Sequence, residues 1–278
     1  MSVSFTTYFA QTTFPSPPPE VIRREPIGKS RGDTGSIFIK RGSLSFKRRL
    51  SGKDKKRIAP DASESNRYAA FLRNPKTGLI KLFPDIGCED NANVIRADED
   101  CLKWVQMSGF YSFREKQHTR DFLSDIRLKD GVLITDGLLS QGIIVALGDV
   151  ALENITLSSD GLKFLNEFKP EPQSGEALKQ TVEIIKGIKS GDYVYKKALT
   201  AKENTTYALR VVAYRGSFIQ TFRGQQFDML GGDKRIDITM AFRLVKKDEP
   251  GTVTLLWKEL SRKTAPKVIV PKRNKKAR

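Results

Sequence analysis

The stretch 236–257, IDITMAFRLVKKDEPGTVTLLW, decides the fold class. Ile236, Ile238, Met240, Phe242 and Leu244 are each separated by one residue, and a period of two places all five on one face of a β-strand. Asp248-Glu249-Pro250-Gly251 supplies a turn, after which Val253, Leu255 and Trp257 resume the alternation. The stretch therefore reads as an antiparallel hairpin with one apolar face.

Upstream, Tyr207, Leu209, Val211 and Ala213 alternate in the same way, and 217–222 repeats the pattern after Gly216. The C-terminal third is accordingly expected to be a four-stranded antiparallel meander. Tyr68 to Leu72 and Leu79 to Phe83 flank the turn sequence Asn74-Pro75-Lys76-Thr77-Gly78, and Ile126 and Leu128 face Val132 and Ile134 across Lys129-Asp130-Gly131. The apolar run Ile143 to Leu147, bounded by Gly142 and Gly148, reads as a strand buried on both faces. Helices are the minority. The clearest spans 175–189, where Leu178, Val182, Ile185 and Ile188 form a stripe expected to face the core. A shorter one is expected over 160–168, capped by Ser159, with Leu162 and Leu165 inward and Pro170 beyond its end. The predicted class is α+β, predominantly antiparallel sheet with one or two amphipathic helices.

Charge is distributed unevenly along the 278 residues. The formal net charge is +17, of which 1–67 contributes +8 and 258–278 another +8, leaving the span between them at +1. The first 66 residues are rich in Pro, Gly, Ser and basic side chains and poor in core material, so they are expected to be a disordered arm. Within it only Ile37-Phe38-Ile39 is β-prone, suited to a sheet edge. A single β-rich domain is expected over 67–262, divisible near 169–175, followed by a basic flexible tail over 263–278 that carries Lys272, Arg273, Lys275, Lys276 and Arg278.

Several chemistries lack the residues they need. No run of about 18 apolar residues is available for a spanning helix. One His and two Cys are too few for a zinc site built mainly from those ligands. His118 is the single side chain whose ordinary pKa suits acid–base work near neutrality. It sits in the charged stretch Glu115 to Asp121, which reads as an exposed loop, and no Gly-x-Ser-x-Gly elbow accompanies it. Gly28-Lys29-Ser30 has the tail of a phosphate loop, but Arg23 stands where its first glycine belongs. No catalytic residue, metal or cofactor is assigned on this reading. An enzyme built on carboxylates brought together in space stays open as an alternative.

Cys88 and Cys101 enclose an acidic loop, and an oxidised pair is favoured over two reduced thiols. Closing a loop of that size is worth about 3 kcal/mol in the chain-entropy account and points to an oxidising compartment. Phe9-Ala10-Gln11 before a Pro/Ser/Thr-rich spacer resembles the end of an export signal, although MSVSFTTYFAQ has no basic start. Tyr214, Arg215, Phe222 and Arg223 place aromatic rings beside guanidinium groups and form the candidate binding face. These features point to a non-enzymatic interaction domain, exported or envelope-associated, whose cationic ends hold an anionic surface or polymer. The alternative is a cytosolic protein associated with nucleic acid through the same ends.

Overall fold

Two long alternating segments dominate the computed structural model and form the hairpin expected from 236–257. It describes 38–40, 43–45, 50–86, 104–105, 107–222, 225–231, 233–249 and 251–269, with side chains omitted at 38–45 and at 222, 225 and 227. The chain divides into units 1–34 and 35–278, and all described residues lie in the second.

In chain order the strands are β1 (Phe38–Lys40), β2 (Ser43–Ser45), β3 (Thr77–Leu82), β4 (Phe110–Ser112), β5 (Gln117–His118), β6 (Ile126–Lys129), β7 (Val132–Ile134), β8 (Ser140–Gly148), β9 (Ile188–Ser190), β10 (Tyr193–Tyr195), β11 (Ala198–Thr200), β12 (Thr206–Ala213), β13 (Ile219–Phe222), β14 (Gln225–Asp228), β15 (Ile236–Asp248) and β16 (Thr252–Thr264). The helices are α1 (Gly52–Ile58), α2 (Ala62–Arg67), α3 (Ala69–Leu72), α4 (Lys163–Glu167) and α5 (Ser174–Lys186). The fold is mixed α+β, and among the described residues the strands named above pair antiparallel.

One five-stranded sheet has the order β3-β16-β15-β12-β8, and a second has the order β11-β7-β6-β4-β5. Apolar residues at both parities give the strands of the first sheet two apolar faces. On one face Tyr207, Leu209, Ile238, Phe242, Val253 and Trp257 pack with Tyr111, Ile126, Leu128 and Leu133 of the second sheet. On the other, Ala208, Ala241, Val245 and Leu256 pack with Leu162, Leu165 and Ile184 of the helical segments. The result is three layers, helices over sheet over sheet, with β12 buried along its full length.

β15 and β16 are both 13 residues long and are joined through Asp248, whose carbonyl accepts from Gly251. Their register shifts twice, between Thr239 and Met240 and between Leu244 and Lys246, the bulges that let so long a ribbon twist. β6 and β7 form a two-residue hairpin with positive φ at Asp130 and Gly131. That turn sets Leu128 against Leu133, so the inward residue of β7 is Leu133 rather than Val132 or Ile134.

The expected meander needs correction. β12, β15 and β16 are neighbours, but β13 pairs only with β14 in a separate hairpin. Gln220, Thr221, Gln225 and Gln226 cannot fill a sandwich core, and the free edge of β12 goes instead to β8, whose Ile143, Ile144 and Val145 are buried toward both layers. β3 completes the opposite edge. Tyr68 to Leu72 forms α3 with its preceding turn instead of a strand, and Tyr68, Phe71 and Leu72 pack on the helical side. β1 pairs with β2 in a local hairpin rather than with a larger sheet.

Order extends beyond both expected boundaries. Ser51 caps α1 by accepting from the Asp54 amide at 3.1 Å, Ile58 is buried, and Asp61 meets Lys81 and Lys246 at 3.2 and 2.8 Å. Residues 51–66, expected in the arm, thus join the body. At the other end β16 runs to Thr264, and the segment after it is held by hydrogen bonds from Arg215 N to Pro266 O, Val268 N to Arg215 O and Ile269 N to Pro172 O. Residues 263–269, expected in the tail, thus also join the body.

Gly78 faces Trp257 in the β3–β16 register, and a Cβ there would lie 2.6 Å from three atoms of the indole. Trp257 is buried and set edge-on to Phe113, so the ring has little room to move. Gly78→Ala is expected to cost about 1–3 kcal/mol by overpacking, read as a lower urea midpoint with an unchanged m-value.

Candidate interaction surface

Charged side chains inside the body are joined to one another. Arg114 follows β4 and is fully buried; its Nε donates to Asp125 Oδ1 at 2.5 Å and one terminal nitrogen to Asp233 Oδ2 at 2.7 Å. The same nitrogen donates to Lys234 O and the other to Leu123 O. Arg235 reaches Asp233 Oδ2 at 2.7 Å and donates to the carbonyls of Tyr214, Leu138 and Leu139. Two guanidiniums and two carboxylates form a neutral quartet that ties the second sheet to the loop entering β15. Burial pulls the Arg114 pKa down, but Asp125 and Asp233 more than offset this and leave it above the ordinary arginine value. For Arg235 burial prevails over the pull of Asp233, and its pKa is lowered.

Arg210 on β12 forms a two-point pair with Asp237 on β15, at 2.9 and 2.7 Å. Its remaining terminal nitrogen donates to Leu165 O and Phe168 O, carbonyls that α4 leaves without helical partners. Among the described residues the buried carboxylates Asp85, Asp125, Asp233 and Asp237 each face an arginine. These groups hold the layers together, and their acceptor capacity is directed inward.

His118 is not on an exposed loop. It ends β5, with Nδ1 3.1 Å from Phe110 O and its ring edge-on to Tyr111. Burial pushes its pKa down to about 4, against the opposing effect of the Phe110 and Met107 carbonyls. At neutral pH it is an uncharged structural imidazole.

The candidate face is divided by the structure. Tyr214 is buried, its hydroxyl donates to Gln141 Oε1 at 3.1 Å, and burial together with Glu171 and Asp237 raises its pKa to about 12. It offers no ring for stacking. Arg215 is exposed, with Nε donating to Ala265 O at 2.7 Å. Phe222 ends β13, while its side chain and Arg223 lie outside the described residues. Cys88 and Cys101 also lie outside them, as do Lys272, Arg273, Lys275, Lys276 and Arg278.

Two features escaped the sequence reading. Arg215, Lys263 and Lys267 are exposed where the last strand leaves the body, and none forms an ion pair among the described residues. Arg215 and Lys267 are bridge partners, so two of these cations lie side by side. A basic surface therefore precedes the basic segment, a feature signalled only by the pairing of distant residues.

The second feature is an open groove of about 480 Å³ between α4 and α5, lined by Phe164, Phe168 and Ile188 and by the carboxylates Glu171, Glu176 and Glu183. α5 approaches the sheet through Ala177, Thr181 and Ile184, with the Gln141 amide donating to Ala177 O and Thr181 Oγ1. Small residues allow that close approach, so the stripe expected to face inward lies outside: Leu178, Val182 and Ile185 are 53, 41 and 56% exposed.

Among the described residues no cluster of His, Cys, Asp and Glu is arranged for a metal, and no helix is long and apolar enough to cross a membrane. Comparison with family models, curated proteins and solved structures found no match.

Proposed function

We propose that the protein is a non-enzymatic, β-rich interaction domain that holds an anionic polymer or surface through its cationic ends, in an exported or envelope-associated setting. The observation that carries this reading is the separation of charge. Buried ions neutralise one another inside the layers, while Arg215, Lys263 and Lys267 stand unpaired among the described residues at the exit of a segment with five further cations. The three layers supply a rigid base, and the ends supply long-range attraction.

A labelled DNA duplex serves as a polyanion probe. Engaging about six phosphates should make affinity fall by about a thousandfold between about 50 and 200 mM salt. Replacing Lys272, Arg273, Lys275, Lys276 and Arg278 together by Gln is expected to reduce the slope of log affinity against log salt by about 4. An unchanged slope would remove the tail from the interface. For the compartment, a thiol assay on native and denatured chain decides: two freely titrating cysteines remove the support for export.

A further inference from the structure

We propose that the groove between α4 and α5 is a docking site for a Lys/Arg-rich peptide segment, and that its occupant is the chain's own residues 270–278. The described chain ends beside the groove. Ile269 N donates to Pro172 O at 2.8 Å and Ser174 N to Ile269 O at 3.0 Å, which sets Ile269 beside Gln173, between the lining residues Glu171 and Glu176 in sequence. The Gln173–Ile269 bridge is parallel, so the chain reaches Ile269 in the same direction as it enters α5. Charge is complementary. The lining carries three carboxylates; Glu176 holds Lys179 and Glu183 holds Lys186, each at 2.8 Å and on the exposed face of α5, while Glu171 has no ion pair among the described residues, and the segment VPKRNKKAR carries five cations and no anion. The apolar pair Val270-Pro271 comes first and matches the Phe164, Phe168 and Ile188 wall. Length suffices: nine extended residues reach about 30 Å, against about 20 Å for the 13 residues of α5.

Docking of this kind holds the tail's cations against the body until a polyanion competes for them. That regulatory consequence rests on the function proposed above, whereas the docking itself does not. The test accordingly contains no polyanion. The full chain and its Glu171→Gln/Glu176→Gln/Glu183→Gln variant are digested briefly with trypsin, and release of fragments from 273–278 is timed by mass spectrometry. In about 0.01 M salt the native tail is expected to be cut at least fivefold more slowly than the variant's, and the two rates should converge in about 1 M salt, where charges are screened beyond about 3 Å. Equal rates at low salt would overturn the proposal. Protection that rises with protein concentration would overturn it too, by assigning the groove to a second copy's tail. All three glutamates are solvent-accessible and outside the core, so equal thermal midpoints confirm that the comparison is between folded chains.

Discussion

Asp125→Ala is expected to destabilise the protein by about 3–5 kcal/mol, more than any other single carboxylate change in the body. The residue is fully buried and accepts from Ser112 Oγ, from the Arg114 amide and from Arg114 Nε. Its removal leaves two guanidiniums sharing Asp233, an uncompensated positive charge that cannot reach water, and it strands the Ser112 hydroxyl. The size of the effect comes from what is left behind, not from the worth of the pair itself. Arg114→Met in the same chain should therefore restore much of the loss, because Arg235 and Asp233 then remain as a neutral pair. Urea unfolding of the two single variants and the double one gives the coupling, expected at about 2 kcal/mol or more in the rescuing direction. Additive losses would show that the quartet does not act as a unit.

That quartet marks where sequence reading stops. Alternation over 236–257 identified both strands of the longest hairpin and one of the two faces they bury, because a period of two is a local property; the second face, with Ala241, Val245 and Leu256, was not expected. The β6–β7 hairpin was legible for the same reason, through its Asp-Gly turn. Which strands become neighbours is not local. β12 chooses β8, some 60 residues earlier, over the adjacent β13, and the reason is the apolar content of Ile143, Ile144 and Val145 against a polar hairpin. Arg114 and Asp233 are 119 residues apart and, read singly, each looks like a solvated charge. The helical stripe misled in the opposite sense: three large apolar residues at helical spacing signalled burial, while the small Ala177 and Thr181 determined which flank met the sheet. Tyr214 was a similar case, an aromatic beside an arginine whose hydroxyl is committed to Gln141.

The same distinction bears on the functional reading. Arginines inside the layers have partners fixed by geometry, so they are poor candidates for recognising anything. Cations near the exit of the chain form no ion pair among the described residues, and a single parallel bridge sets two of them, Arg215 and Lys267, side by side. The groove beside α5 adds an acidic surface close to that exit. Two opposed surfaces at one end of a rigid body suit competition between an internal and an external ligand for the same positive segment, a mechanism controlled by ionic strength rather than by shape change.

Lowering the pH from 7 to 4 is expected to remove about 3 kcal/mol of stability through His118 alone. Burial holds this imidazole at about 4, whereas the unfolded chain returns it to its ordinary value of 6.5. Between those values the unfolded state carries the proton and the folded state does not. Stability therefore rises with pH across the window: the contribution is complete above about 6.5 and is lost as pH falls toward about 4, at about 1.4 kcal/mol per unit. His118→Gln keeps an amide able to donate to Phe110 O but cannot titrate, so its stability should fall less over the same range, by about 3 kcal/mol. Urea midpoints at pH 7, 5.5 and 4 give the difference. Because the chain has one histidine, its ring-proton resonance can be followed without assignment. A midpoint near 6.5 in the folded protein would mean that the ring is hydrated, that β5 does not bury it, and that a neutral-pH base is available on this edge of the second sheet after all.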